Sequence, residues 1–206
     1  MPVNHEQIEK GVRHLRNVDP VMRALIRKAG PYALKPRRDR FFALVSSIIS
    51  QQISGNAARS IRQRLIDHIA PDKLSPQNLG KLTPDVLRTL GLSPQKATYL
   101  LDLTSRVDSG DLKLDRLGRL SDEQVIEELV KVKGIGVWTA QMFLMFSLGR
   151  LNVFPHDDLG VRTAIRNLYE LEELPDKATS HRIAEPWRPY ASIASWYCWR
   201  SLELKD

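Results

Sequence analysis

The residues Lys133-Gly134-Ile135-Gly136-Val137-Trp138-Thr139-Ala140, followed by the acidic pair Asp157-Asp158 in a Pro-containing loop, have types and spacing suited to gripping an anion and supplying a carboxylate. Gly134 and Gly136 can take positive φ at little cost and carry no Cβ to keep a ligand off the backbone. The amides of Val137, Trp138 and Thr139 would open the following helix ahead of any intrahelical acceptor. The helix dipole adds partial positive charge at the same place. A phosphate suits such a turn, and contacts of this kind position a duplex without reading its sequence. An anion grip with a carboxylate downstream points to chemistry on a nucleic acid. Two plainer readings compete: a tight turn with glycines for steric reasons, and Asp158 as a mere N-cap of the helix after it.

These residues need elements to hold them. Ser121 reads as an N-cap with Gln124 as its capping-box partner, and Val125, Ile126, Leu129 and Val130 make one apolar helical face. The second helix, Val137 to Leu148, is apolar nearly all round and is expected to be buried. Together they have the shape of a helix-hairpin-helix. Elsewhere, Ser75-Pro76, Thr83-Pro84 and Ser93-Pro94 each set an N-cap before a Pro at the first helical position, and Gly91 ends one of these helices. Phe41 to Ser50 reads as a buried helix. Ala57 to Ile69 reads as amphipathic, with Ile61, Leu65 and Ile69 inward, as does Leu159 to Tyr169 with Val161, Ile165 and Leu168 inward. Trp187 to Leu202 is expected as a closing helix. No alternating strand pattern occurs, so the fold is expected to be all-α. Lys35-Pro36-Arg37-Arg38 is the candidate hinge between an N-terminal arm and the central helices.

The bulk numbers bound the function. A chain of 206 residues, 42% of them hydrophobic, has the size for one large or two small domains. No run of about 18 apolar residues offers a membrane span, and residues 1–19 are polar, without the apolar stretch of a signal peptide. A single cysteine, Cys198, excludes an intrachain disulfide and a four-cysteine iron–sulfur cluster. Thirty-one basic against 24 acidic residues give a net charge of +7 and a pI near 9.7, which suits a polyanionic partner. No phosphate-cradling loop for mononucleotides, metal-ligating His/Cys cluster or Ser-His-Asp order is seen.

Four segments fall in a recognisable order: Ile48-Ile49-Ser50-Gln51-Gln52-Ile53-Ser54, Gly91-Leu92-Ser93-Pro94-Gln95-Lys96-Ala97, Val132 to Ala140, and Val153-Phe154-Pro155-His156-Asp157-Asp158. This combination resembles the helix-hairpin-helix (HhH-GPD) DNA glycosylase superfamily, and within it the alkylbase, 3-methyladenine type of enzyme, over about residues 41–169. The resemblance implies an all-α fold of two helical subdomains flanking a DNA-binding cleft. Residues 38–150, with the hairpin at 121–148, would form the central one, and 1–37 with 151–206 the other. It implies Asp158, twenty residues after Trp138, as the catalytic carboxylate, with Asp157 structural. Members that also cut the strand carry a Lys two residues after the second hairpin Gly, where this chain has Trp138. Lys133 lies on the wrong side of the hairpin, so a monofunctional hydrolase is expected.

The resemblance further implies base flipping, with the loop 51–54 filling the gap. Ser54 aligns best with the wedge, and Gln52 or Ile53 are alternatives. Trp138, with Met142 one turn on, would form the base pocket, and Trp187, Tyr190 and Trp196 are candidates for its far wall or for core packing. Gly134, Gly136, Val137, Thr139 and Lys133 would bind phosphate, with Lys96, Lys131 and Arg162 as further basic candidates. No cofactor and no side-chain metal site are expected, though a monovalent cation at the hairpin carbonyls is compatible. The expected partner is double-stranded DNA with damaged bases, bound by a monomer with no membrane association, in the cytoplasm at a bacterial nucleoid or in a nucleus. The implied substrates are 3-methyladenine and 7-methylguanine. The alternatives are deaminated, etheno or oxidised bases, or a non-catalytic helix-hairpin-helix DNA-binding protein.

Overall fold

The computed structural model describes residues 5–204. In chain order these form α1 (His5–Val18), α2 (Pro20–Ala29), α3 (Arg40–Ser50), α4 (Gly55–Ile69), α5 (Pro76–Leu79) and α6 (Pro84–Thr89). There follow α7 (Pro94–Asp108), α8 (Asp122–Val130), α9 (Val137–Phe146), α10 (Leu159–Leu168), α11 (Lys177–Ala184) and α12 (Ala191–Ser201), with short 3-10 turns at Leu117–Arg119 and Glu185–Trp187. No strand occurs among the described residues, so the fold is all-α as expected. Two compact units result, Arg37–Phe143 and Met1–Pro36 with Leu144–Asp206. One division falls inside the Lys35–Arg38 segment and the other inside α9.

In the central unit the local signals act as the sequence predicts. Ser75, Thr83 and Ser93 accept hydrogen bonds from the amides of Asn78 (3.2 Å), Val86 (3.3 Å) and Lys96 (3.2 Å), each ahead of a Pro in the first turn. Gly91 stops α6 with φ of +100°, and Leu92 N–H closes the turn onto the Leu87 carbonyl. Ser121 and Gln124 form the reciprocal capping box of α8. Of that helix's apolar face Val125 and Leu129 are fully buried, Ile126 is half-buried, and Val130 is exposed. The core is supplied by α3 (Phe41, Leu44, Val45, Ile48, Ile49), α4 (Ile61, Leu65, Ile69) and α7 (Leu100, Leu103). Each such side chain contributes about 1.5–3 kcal/mol.

In the terminal unit α1, α2, α10 and α12 close on a cluster of Leu15, Met22, Val161, Ile165, Trp187, Ile193 and Tyr197. Asp19 organises it. Its carboxylate caps α2 through the amides of Val21 (2.8 Å) and Met22 (3.1 Å). It also accepts the Trp187 indole N–H at 2.9 Å and the Tyr169 hydroxyl. Burial, reinforced by this carboxylate, pushes the Tyr169 hydroxyl well above its ordinary titration range. The expected single helix from Trp187 to Leu202 is corrected. Trp187 ends a 3-10 turn, and α12 starts only at Ala191. Pro189 explains the break, because it lacks an N–H and its ring excludes a helical turn before it.

Candidate functional site

The hairpin is held from beneath. Gly134 has φ of +79°, and a Cβ there would lie 2.0 Å from the Tyr99 ring. Both facts require glycine. The Gly134 carbonyl accepts a 2.8 Å hydrogen bond from Gln51 Nε2. Gly136 differs. Its φ is not in the positive region, and nothing lies within 4 Å of where its Cβ would be. Its missing side chain leaves room toward solvent for an incoming ligand. The Gly136 carbonyl takes the first helical bond, from Ala140 N–H at 3.0 Å, so the amides of Val137 and Thr139 open α9 ahead of that bond. Contrary to the expectation that this helix is buried all round, Val137 is 50% and Trp138 44% exposed, while Thr139, Ala140, Phe143, Leu144 and Met145 are buried. Apolar composition reported the inner turns correctly and misjudged the first.

Beside the hairpin, in the same unit, lies an open groove of about 640 Å³ lined by Ser47, Gln51, Gln52, Ile53, Tyr99, Gly134 and Trp138, among others. The structure therefore brings the loop 51–53, the first glycine and Trp138 together. Met142 is half-buried and does not line this groove. Within the loop, Ser54 is the N-cap of α4, its hydroxyl accepting from Ala57 N–H at 3.2 Å. Gln52 sits at the apex with φ of +55° and is exposed, as is Ile53. Geometry thus commits Ser54 to the helix and leaves Gln52 and Ile53 as the projecting pair.

The basic candidates are mostly occupied. Lys96 Nζ donates to the carbonyls of Ile49 (2.8 Å) and Gln51 (2.6 Å), and desolvation holds its ammonium below the usual lysine range. Lys131 pairs with Glu128 at 2.6 Å. Arg162 Nε donates to the Pro175 carbonyl at 3.0 Å. Lys133 is exposed, with its backbone N–H on Asp102 Oδ2 at 2.9 Å. Among the described residues no group of three or more His, Cys, Asp and Glu could hold a metal. For a monovalent cation the donors are backbone carbonyls. Those of Val132 and Gly134 accept hydrogen bonds from Ile135 N–H and Gln51 Nε2 respectively. A carbonyl has two lone pairs, so each of these oxygens can accept a second partner.

In the terminal unit Asp158 is the N-cap of α10. It is only 9% exposed, and its Oδ1 accepts from Val161 N–H at 2.8 Å and from the Trp199 indole N–H at 2.8 Å. Trp199 stacks on Phe146, with centroids 5.7 Å apart. Gly160 makes room for this arrangement, since a Cβ there would meet Trp199 Cδ1 at 2.9 Å and Asp158 Oδ1 at 3.1 Å. Asp157 is exposed and lies 3.2 Å from His156 Nε2. Trp199 is the residue sequence reasoning missed. The usable signal is that a half-buried tryptophan needs an acceptor for its N–H. Trp187, by contrast, is fully buried on Asp19, while Trp196 packs between Tyr32 and Tyr197, and Tyr190 against His14. Trp187 belongs to the core of this unit, and the half-buried Trp196 and Tyr190 pack against it.

Comparison with known proteins gives the family. Residues 45–189 match the HhH-GPD superfamily of base excision DNA repair proteins, and the chain belongs to that superfamily. It is 31% identical to DNA-3-methyladenine glycosylase 1 of Schizosaccharomyces pombe, covering 97% of this chain and 90% of that protein. It is 35% identical to Bacillus subtilis YfjP, provisionally named a DNA-3-methyladenine glycosylase, over 78% of this chain and 58% of that protein. The S. pombe enzyme Mag1, solved in complex with abasic DNA, superposes with a TM-score of 0.83 over 95% of this chain and 97% of that one, at 31% identity. Within the superfamily the chain falls in the DNA-3-methyladenine glycosylase branch. Among the described residues no helix is long and apolar enough to cross a membrane.

Proposed function

We propose that this protein is a monofunctional glycosylase that hydrolyses the N-glycosidic bond of alkylated purines, 3-methyladenine and 7-methylguanine, flipped out of duplex DNA. The observation that carries the reading is the pair of N–H groups converging on one oxygen of a nearly buried Asp158, in a chain of this family. Departure of the base leaves oxocarbenium character on the sugar. A carboxylate fixed in orientation stabilises that charge without having to reorganise, and it orients or deprotonates the attacking water. Methylation at N3 or N7 makes the purine cationic, so it leaves without a general acid. Trp138 offers such a base a stacking face worth about 0.5–2 kcal/mol, with Met142 as its neighbour one turn on.

The backbone of Gly134 to Thr139, with Lys133, holds the strand by its phosphate, and Gly136 lets that phosphate approach. A monovalent cation, when bound at the hairpin carbonyls, would supply charge neutralisation for the same phosphate. Gln52, with Ile53, fills the space the nucleotide leaves. Trp138 stands at the position where strand-cutting relatives carry lysine, and an indole cannot attack C1′ as an amine does.

The test is chromatography of bases released from methylated duplex DNA, together with borohydride trapping on abasic DNA. The expected result is free 3-methyladenine and 7-methylguanine with no covalent adduct. Efficient trapping would overturn the monofunctional assignment, and absence of released base would overturn the substrate class.

A further inference from the structure

We infer that Gln51 and Lys96 are positioning residues that tie the gap-filling loop to the phosphate grip, so that anchoring the strand and holding the nucleotide out are one mechanical act. The inference rests on the glycosylase reading above and extends it to two residues whose side-chain donors bind main-chain carbonyls.

The loop leaves α3 where that helix has run out of amide partners for its last carbonyls. Lys96, reaching across from the first turn of α7, satisfies two of them, on Ile49 and on Gln51 itself. Its positive charge also sits at the negative end of the α3 dipole. With its main chain pinned, Gln51 projects its amide 83 residues along the sequence to the Gly134 carbonyl. Capping α3 does not require that second bond, because Lys96 already meets the need.

Gly134 is thereby gripped on two sides, by Gln51 at its carbonyl and by the Tyr99 ring against its Cα. Tyr99 is itself steadied by Gln95, whose Nε2 lies 2.5 Å from the phenol oxygen. The next residue, Gln52, turns out with positive φ into solvent. The loop is therefore braced at its root and open at its tip. A plug inserted in a base stack is pushed back by the stack, and it resists only as far as its root is fixed. Here the root is fixed to the very residue that opens the phosphate-binding turn. Lysine suits this position because its ammonium can address two carbonyls at once, and glutamine because its amide donates where a carboxylate would repel.

The experiment uses the full chain and single-turnover excision of one 7-methylguanine in two duplexes. In one the lesion is paired with cytosine. In the other it sits in a one-nucleotide bulge, where extrusion costs less. Gln51→Glu, Gln51→Ala, Lys96→Met and Lys96→Arg are compared with wild type, with affinity for undamaged duplex measured alongside. Gln51→Glu and Lys96→Met are expected to slow excision of the paired lesion about tenfold, the size of one lost hydrogen bond to a fixed partner. The bulged lesion should slow less than twofold, and undamaged duplex should bind within twofold of wild type. Lys96→Arg should restore the paired rate. Should Gln51→Glu fail to fold, Gln51→Ala, which only deletes the donor, decides. Wild-type rates on the paired lesion in the Gln51 variants, or equal losses on both duplexes, would overturn the coupling. A wild type that releases no base from either duplex would instead remove the glycosylase reading itself.

Discussion

The hairpin and the acid loop solve opposite problems with the same element, the start of a helix. At the start of α9 the structure shows its backbone: Gly136 has open space around it, and Val137 and Trp138 are half exposed. At the start of α10 the structure encloses: Asp158 is 9% exposed, and the Val161 amide and Trp199 indole both bind one of its oxygens. A polymer with a phosphate every few ångströms needs a surface it can reach. A carboxylate that must stabilise transient positive charge needs fixed dipoles and little competing water. A helix N-terminus serves an anion from outside in the first case and an anion from its own chain in the second. On the proposed reading, affinity belongs to the first region and rate to the second.

Removing the charge should produce the largest effect. Asp158→Asn is expected to lower kcat about 10²- to 10³-fold, the scale of losing one preorganised electrostatic contact, with binding of undamaged duplex unchanged in a titration. Gly134→Ala should next cost at least about 1–3 kcal/mol in urea unfolding, because it strains the backbone and drives a Cβ into Tyr99. It reports on folding and says nothing of the phosphate. Trp199→Phe keeps a ring on Phe146 but deletes the indole donor to Asp158. A hydrogen bond to a charged group is worth about 1.5 kcal/mol or more, so kcat should fall about tenfold with KM little changed.

The smallest effect is a pH dependence in the terminal unit. Burial, with His156 beside it, holds His181 below its usual value of 6.5. The unfolded chain then takes up a proton that the folded chain refuses. Stability should be full above pH 6.5 and decline as pH falls below it, and His181→Gln should flatten that slope in thermal unfolding.

What the sequence made legible was local. Ser75, Thr83, Ser93 and the Ser121–Gln124 box act within four residues of themselves, and their chemistry is independent of the rest of the fold. Family resemblance supplied Asp158, and the structure adds how it is held. The bond from Trp199 spans 41 residues and the bond from Gln51 to Gly134 spans 83. Neither leaves a periodicity to read. Lys96 shows what the sequence hides. A lysine beside a DNA-binding motif looks like a phosphate contact, and the structure adds that its ammonium donates to two main-chain carbonyls. The two hairpin glycines also look alike in sequence. One is required by its own backbone and by Tyr99, whereas a Cβ at the other would meet only open space.

The division between grip and chemistry is tested most directly by measuring Asp158→Asn and Gly136→Leu side by side for equilibrium binding to undamaged duplex and for single-turnover release of methylated purine. The account predicts that Asp158→Asn binds like wild type and barely releases base. Gly136→Leu should bind weakly to every sequence alike, yet release base at close to the wild-type rate once saturated. Asp158→Asn releasing base at the wild-type rate, or Gly136→Leu binding as tightly as wild type, would contradict it.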